Sequence, residues 1–328
     1  MPAPTMLISL ADIEAAQLRL RGVAVHTPLV PMEDYDGEGR LWIKSECLQP
    51  IGSFKLRGAY NKIAQLSSED RQRGVITYSS GNHAQGVAYA ARALGLKAVI
   101  VMPSNTPEVK LQATRALGGE IVMVGLSSLE RKQKAEELAR EFGYVVVPPY
   151  DDPAIIAGQG TCGLEILADL ADVDLVLAPV GGGGLLRGVA AAIKLSHPGV
   201  KVFGVEPELA GDAAESYRTG NLVSFSGEQT SRTLADGLRT QSIGELNFAH
   251  ILAYVDGIVT VTEAEIRSAM RRMIFSTRLL TEPSGAVAAA GALYHSAKLP
   301  PSRKAVAVMS GGNVEPETLR RVLSEHED

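Results

Sequence analysis

Apolar residues recur along this chain in two rhythms. Short unbroken apolar runs, too brief for helices, alternate with longer stretches in which apolar positions return at helical spacing. From residue 74 the order is regular. GVITYSS predicts a strand, HAQGVAYAARALG a helix ending on a C-cap glycine, and KAVIVMP a strand. PEVKLQATRALGG then predicts a helix, EIVMVG a strand, SSLERKQKAEELAREFG a helix, and YVVVPP a closing strand. A second series follows, with TCGLEILADL a helix, VDLVLAPV a strand, LLRGVAAAIKL a helix and KVFGVEPE a strand. After a less regular stretch (208–255) come the strand GIVTVT, a helix from Glu263 to Leu280, a helix around 285–297, and the strand KAVAVMS. Buried strands separated by amphipathic helices predict parallel sheets with right-handed crossovers.

Ahead of the first series, the pattern predicts a helix over 11–22, an extended lead-in HTPLVP, a strand LWIKSE (41–46), and a helix over 53–66 with Ser53 as its N-cap. The polar run SSEDRQRG (67–74) reads as a linker. The fold class expected is α/β: two open, twisted, mostly parallel sheets flanked by helices, the smaller domain inserted in the larger. The expected division is 1–73 with 150–328 as the large domain and 74–149 as a small mobile one.

Composition narrows the function classes. At 328 residues, two domains fit the length. The 32 basic and 37 acidic side chains leave a net charge of −5, unlike the concentrated basic face of a nucleic-acid binder. Only 5% of residues are aromatic while glycine and alanine abound, which suits helices packed closely on sheets. Cys47 and Cys162 lie far apart and form no CxxC motif, so a reducing, cytoplasmic setting is expected. The start, MPAPTMLISLADIEAAQLRL, has no basic segment before its apolar run and does not read as a secretory signal. The most apolar stretch, VDLVLAPVGGGGLLRGVAAAI, is interrupted by Asp174, four glycines and Arg187, too much for a membrane span.

The candidate chemistry gathers where strands end. Gly158, Gly160 and Gly163 spell GxGxxG, but the preceding DDPAIIA is no buried strand, so a close-packed turn entering a helix is expected rather than a dinucleotide site. Gly181–Gly184 differ, because they follow a strand and open a helix. Glycines let successive N–H groups turn toward one point, and the helix adds its positive end, which suits a phosphate cradle better than a merely flexible turn. No GK[ST] ending follows, so a Mg²⁺–triphosphate is not favoured. Ser79, Ser80 and Asn82, in SSGNHAQG, cluster side-chain donors at another helix N-terminus, suited to a carboxylate or to ordinary capping. SGGN (310–313) ends the last strand. Open α/β sheets gather ligands at such ends. Lys55, in the first turn of its helix, adds an amine able to form a Schiff base with an aldehyde cofactor.

GSFKLRGA, SSGNHAQG, IAGQGT, PVGGGGLLRG, VEPE, LADG, TEPSGAVA and MSGGN follow one another in this order. Together they resemble the pyridoxal-phosphate enzymes of the tryptophan-synthase-β fold type, in the serine/threonine dehydratase and serine racemase branch. The match runs from about Thr27 to Asn313. The resemblance implies that the cofactor, pyridoxal 5'-phosphate, is carried on Lys55 between the two domains. Gly181, Gly182, Gly183, Gly184 and the Leu185 amide would hold its phosphate. Asn82 would bond the ring 3'-oxygen, Ser310 would face the ring nitrogen, Phe54 and Gly237 would flank the ring, and Glu282 would lie nearby. Ser79, Ser80, Asn82 and His83 would bind the substrate carboxylate, with Arg131 able to approach on domain closure.

The activity implied is β-elimination of water from L-serine or L-threonine, giving a 2-oxo acid and ammonia. Serine racemase and 3-hydroxyaspartate dehydratase are the alternatives, and Ser80 would serve the second face of the carbanion in a racemase. Glu206, Ala210 and Asp212, in VEPELAGD, would hold Mg²⁺, or Ca²⁺ or Mn²⁺, through two carboxylates and one carbonyl. A homodimer is expected from the family, and a C-terminal regulatory domain is not expected, since only fifteen residues follow Asn313.

Overall fold

A computed structural model describes residues 7–37, 39–106, 108–125 and 128–325. The first six residues of the apolar start, and Pro107 and Ser127 at the heads of two expected helices, lie outside them.

Among the described residues ten strands form: β1 (Leu29–Pro31), β2 (Arg40–Ser45), β3 (Val75–Tyr78), β4 (Ala98–Pro103), β5 (Gly119–Val124), β6 (Val145–Val146), β7 (Leu175–Pro179), β8 (Lys201–Pro207), β9 (Gly257–Val261) and β10 (Lys304–Met309). They make a six-stranded sheet in the order β1-β2-β10-β7-β8-β9 and a four-stranded sheet in the order β5-β4-β3-β6. Every pairing is parallel except β1 with β2. The small sheet is drawn wholly from 75–146. β4, β7 and most of β10 are buried along their length, as expected of strands covered on both faces.

Strand order locates the crevices. In the large sheet the chain runs outward through β7, β8 and β9, while β10 returns to the other side of β7. In the small sheet it runs outward through β3, β4 and β5, and β6 returns beside β3. The carboxyl ends of β7 with β10, and of β3 with β6, are therefore topological switch points, where a crevice opens.

The helix Lys55–Ala64 belongs to both units. Its Ala59 and Ile63 pack with Val75, Val87 and Ile100 of the small-sheet core. Its Arg57 is buried in an ion cluster with Glu46 and Glu165, outside that core.

Local differences from the sequence reading have physical causes. The supposed linker 67–74 contains a helix, Ser68–Arg73, because Ser67 caps it by accepting from the Asp70 N–H at 3.1 Å. Ser53 is not a helix cap: the helix starts at Lys55, and Ser53 instead bridges Gly311 in an isolated β-bridge. The closing strand YVVVPP pairs over only two residues. The irregular stretch holds the helices Asp212–Thr219 and Glu245–Tyr254. The GxGxxG glycines lie inside the helix Pro153–Asp169, not in a turn before one. Asp152 and Pro153 start that helix, and a Cβ at Gly158 would come within 2.6 Å of the Arg57 carbonyl. These glycines bring helix backbones together.

Candidate active site

Both switch points open into one cavity of about 1140 Å³. It is lined by Phe54, Lys55, Ser79, Ser80, Asn82 and His83, by Gly181–Leu185, and by Arg131, Gly237, Glu282 and Ser310. All the expected cofactor and substrate residues thus meet, although they come from seven separate segments. Glu206, Ala210 and Asp212 lie apart from this cavity, fully buried at the end of β8.

The Lys55 amine donates to the Pro149 carbonyl at 2.8 Å and stands 5.1 Å from the centre of the Phe54 ring. No carboxylate pairs with it among the described residues. Burial lowers its pKa to about 8, because a charged amine loses hydration there without an anion to replace it. At pH 7 about a tenth of the amine is then neutral, enough for it to act as nucleophile and base.

The glycine loop follows β7. Gly183 sits at φ +91°, a left-handed conformation that a side chain would resist, and is the N-cap of the helix Gly184–Ser196. The N–H groups of Gly182 and Gly183 have no acceptor among the described residues, and those of Gly184 and Leu185 belong to the first helical turn, which has none within the helix. A Cβ on Gly182 would fall 2.3 Å from the Tyr150 ring. This is a built anion cradle, and a phosphate fits it.

Across the cavity, Asn82 donates through Nδ2 to Glu282 Oε1 at 2.7 Å and accepts at Oδ1 from Asn313 Nδ2 at 2.7 Å. Burial, and then Asp236, raise the Glu282 pKa to about 7. The Gly81 N–H donates to Ser79 Oγ at 3.3 Å. His83 Nε2 lies 3.0 Å from the Val147 carbonyl. A carbonyl only accepts, so Nε2 carries the proton; burial, and then the Lys55 charge, push the ring's pKa down to about 3 and keep it neutral. What His83 offers a carboxylate is therefore its first-turn backbone N–H. Ser310 Oγ donates to the Ser284 carbonyl only over a long 3.4 Å, a bond that a better acceptor can replace. The Gly237 N–H donates to Ser284 Oγ at 2.9 Å, which fixes that loop against the cavity wall.

Several lining residues carry no motif. Tyr150 packs on the glycine loop. Thr240 presents a buried hydroxyl without a hydrogen-bond partner among the described residues. Lys110, from the small unit, pairs with Asp236 Oδ2 at 3.1 Å and Glu315 Oε1 at 3.2 Å, spanning the two units at the rim. All three depend on contacts between distant segments, which a linear pattern does not display.

At the second site, Glu206 accepts from the N–H groups of Ala213 at 3.2 Å and Ala214 at 2.8 Å. Both carboxylate oxygens of Asp212 are buried without a hydrogen-bond partner among the described residues. Burial, and then Asp212, raise the Glu206 pKa well above the usual carboxylate range; burial raises that of Asp212 to about 7. Two adjacent buried carboxyls short of positive partners fit a hard cation.

Comparison with known proteins follows the same lines. Residues 21–311 match the family described as "Pyridoxal-phosphate dependent enzyme". An L-threonine ammonia-lyase of Thermotoga maritima is 43% identical over 97% of this chain and 79% of its own. An L-threo-3-hydroxyaspartate ammonia-lyase of Saccharomyces cerevisiae is 39% identical over 97% of both chains. Among solved structures, maize serine racemase superposes with a TM-score of 0.90 at 34% identity, covering 97% of both chains.

Proposed function

The chain belongs to the pyridoxal-phosphate-dependent enzyme family, and from that premise we propose that it removes water from L-threonine and L-serine, giving a 2-oxo acid and ammonia. The observation that carries this reading is a lysine amine of lowered basicity in one cavity with an anion cradle of free N–H groups. When bound, the cofactor supplies an aldehyde for the substrate amine and an electron-withdrawing ring that stabilises negative charge at Cα.

The chain's own residues do the rest. The amides of Gly181–Leu185 hold the phosphate. Ser310 Oγ would face the ring nitrogen, where a hydroxyl, unlike a carboxylate, does not keep a proton. Phe54 and Gly237 flank the ring, and Asn82, oriented by Glu282 and Asn313, bonds its 3'-oxygen. Ser79, Ser80, Asn82 and the first-turn N–H of His83 hold the substrate carboxylate. Lys55 Nζ, in the same cavity, would take the Cα proton.

The cavity position of Ser80 supports a second reading, amino-acid racemisation, in which a hydroxyl donating its own proton to Cα on the face opposite Lys55 would give inversion. The cavity position of Arg131 supports a third, 3-hydroxyaspartate as substrate, since it could meet a second carboxylate. Supplying L-Thr, L-Ser, D-Ser and both threo-3-hydroxyaspartates to the purified protein, and scoring 2-oxo acid and enantiomer separately, tests all three. Faster formation of D-serine than of pyruvate from L-serine would replace dehydration with racemisation as the main activity.

Glu206, the Ala210 carbonyl and Asp212 are inferred to hold Mg²⁺, with Ca²⁺ or Mn²⁺ as substitutes, supported by the unpartnered Asp212 oxygens. The cation steadies β8 and the following helix, away from the reacting atoms. A small unit of 74–149 that moves against the rest, a homodimer and a cytoplasmic setting complete the reading. Burial raises the thiol pKa of both Cys47 and Cys162, and no helix among the described residues is long and apolar enough to cross a membrane.

A further inference from the structure

Behind the glycine loop, on the side away from the cavity, a buried polar chain ends on one carbonyl. The Gly182 carbonyl accepts from Asn247 Nδ2 at 2.6 Å and from the Gly244 N–H at 3.3 Å. The Asn247 amide has one possible orientation, because its Oδ1 accepts from Arg187 Nη1 at 3.1 Å and a guanidinium can only donate. Its backbone N–H is tied to Asp151 Oδ1 at 3.1 Å, so the residue is fixed at both ends. Both Asn247 and Arg187 are fully buried.

Arg187 is held in turn. Its Nη2 lies 2.9 Å from His250 Nε2, which also accepts from the Ile8 N–H at 2.8 Å. His250 Nδ1 stands 3.1 Å from the Leu246 carbonyl, so Nδ1 carries the proton and Nε2 is the acceptor. Burial, and then the Arg187 charge, lower the His250 pKa to about 4, which keeps this acceptor neutral. No carboxylate lies within ion-pair distance of Arg187 among the described residues. One positive charge is therefore left in the protein interior, in the first turns of the helix that the glycine loop opens.

We infer that Asn247, backed by Arg187, is a positioning residue for the cofactor phosphate: it anchors the Gly182 carbonyl behind the loop and thereby turns the Gly183 N–H into the cradle. The peptide unit is planar and trans, so its carbonyl and N–H point in opposite directions. Gly182 and Gly183 line the cavity and Asn247 does not. Fixing the carbonyl on the Asn247 side commits the N–H to the cavity side. Without that anchor, the loop's glycines are free to rotate the peptide and withdraw the donor. The Arg187 charge favours a dianion in front of the loop. The inference rests on the cofactor reading above and adds a residue to it.

The test uses the full-length protein stripped of cofactor and titrated with pyridoxal 5'-phosphate and, separately, with pyridoxal, which lacks the phosphate. Asn247→Ala should weaken binding of the phosphorylated aldehyde roughly tenfold, the worth of one well-placed buried hydrogen bond. Binding of pyridoxal should change by less than about twofold. Asn247→Asp keeps the shape and the Arg187 contact but has no N–H for Gly182, so it should show the same selective loss and carries the test if the alanine variant does not fold. Arg187→Met should again weaken only the phosphorylated ligand. Equal weakening of both aldehydes, or unchanged binding of the phosphorylated one, overturns the inference. A wild-type protein that binds no pyridoxal 5'-phosphate overturns the proposed function, and this inference with it.

Discussion

Replacing Arg57 by methionine should cost stability rather than chemistry, and the cost should depend on pH. The guanidinium is fully buried. It donates to both Glu46 oxygens at 2.7 Å, to the Glu165 oxygens at 2.7 and 2.8 Å, and to Thr161 Oγ1 at 3.1 Å. Lys44 supplies a second buried cation, 2.7 Å from Glu165. Two buried cations thus face two buried carboxylates, with the partly exposed Asp169 3.8 Å from Lys44 at the cluster's edge. Methionine fills similar space but leaves Glu46 and Glu165 sharing Lys44 alone. Breaking a buried ion pair from one side costs about 3–5 kcal/mol. With about 2.1 cal/mol/K of unfolding entropy per residue, this chain has an unfolding entropy of about 0.7 kcal/mol/K, so Tm should fall by about 4–7 °C.

The sign of the pH effect follows from Glu46. Burial alone would raise its pKa, but the Arg57 charge and hydrogen bonds, with Lys44 and Thr27, outweigh it and leave it lowered. In the wild type, this carboxylate's contribution is present above its ordinary pKa and lost as pH falls through the lowered one. In the variant, desolvation wins and the pKa rises, so protonation relieves the strain. The Tm gap between variant and wild type should be widest near pH 8 and narrow toward pH 5, measured by calorimetry at a fixed scan rate. A gap that is constant across that range, or absent, would refute the claim that Arg57 neutralises buried carboxylates.

Three further outcomes are expected. Lys55→Ala should abolish turnover, and borohydride reduction of the wild type should label the peptide containing Lys55; label on another lysine refutes the assignment. Chelation should lower Tm, and Mg²⁺ or Ca²⁺ should restore it, an effect missing from Glu206→Ala and Asp212→Ala. Because the Glu206 and Asp212 pKa values are raised, the metal-free protein should lose stability as pH rises through about 7, so the gain from Mg²⁺ should be larger at pH 8 than at pH 6. Ser80→Ala should remove any racemisation and any dehydration of D-serine while elimination from the L-substrate largely survives, scored by chiral chromatography beside 2-oxo acid release.

The parallel strands could be read from the chain because strands buried on both faces leave unbroken apolar runs, as in β4 and β7. The ends of β7, β3 and β10 could be read because their glycines and hydroxyls stand next to those runs. What stayed hidden depends on partners far away in sequence. Helix Ser68–Arg73 buries no residue and is held by its cap, so it leaves no apolar rhythm. The N–H of the His83 ring is occupied by the Val147 carbonyl, sixty-four residues on, a partner that no local pattern shows. Asn247 and Arg187, sixty residues apart, meet only in the folded chain. The arginine was legible merely as an interruption in an apolar run.

The glycines where three helices meet set a distance. A Cβ on Gly58 would sit 2.5 Å from Gln159 Nε2 and 2.8 Å from the Ile155 carbonyl, and one on Gly188 would sit 2.5 Å from the Ile156 carbonyl. Three helices are therefore spaced by bare backbone, and one of them carries Lys55 in its first turn. A single methyl group at this seam would wedge that helix outward and lift the amine from the Pro149 carbonyl. Mutational drift at Gly58, Gly158 or Gly188 would then silence the enzyme with every residue that touches substrate intact, and a screen confined to the cavity would miss the cause.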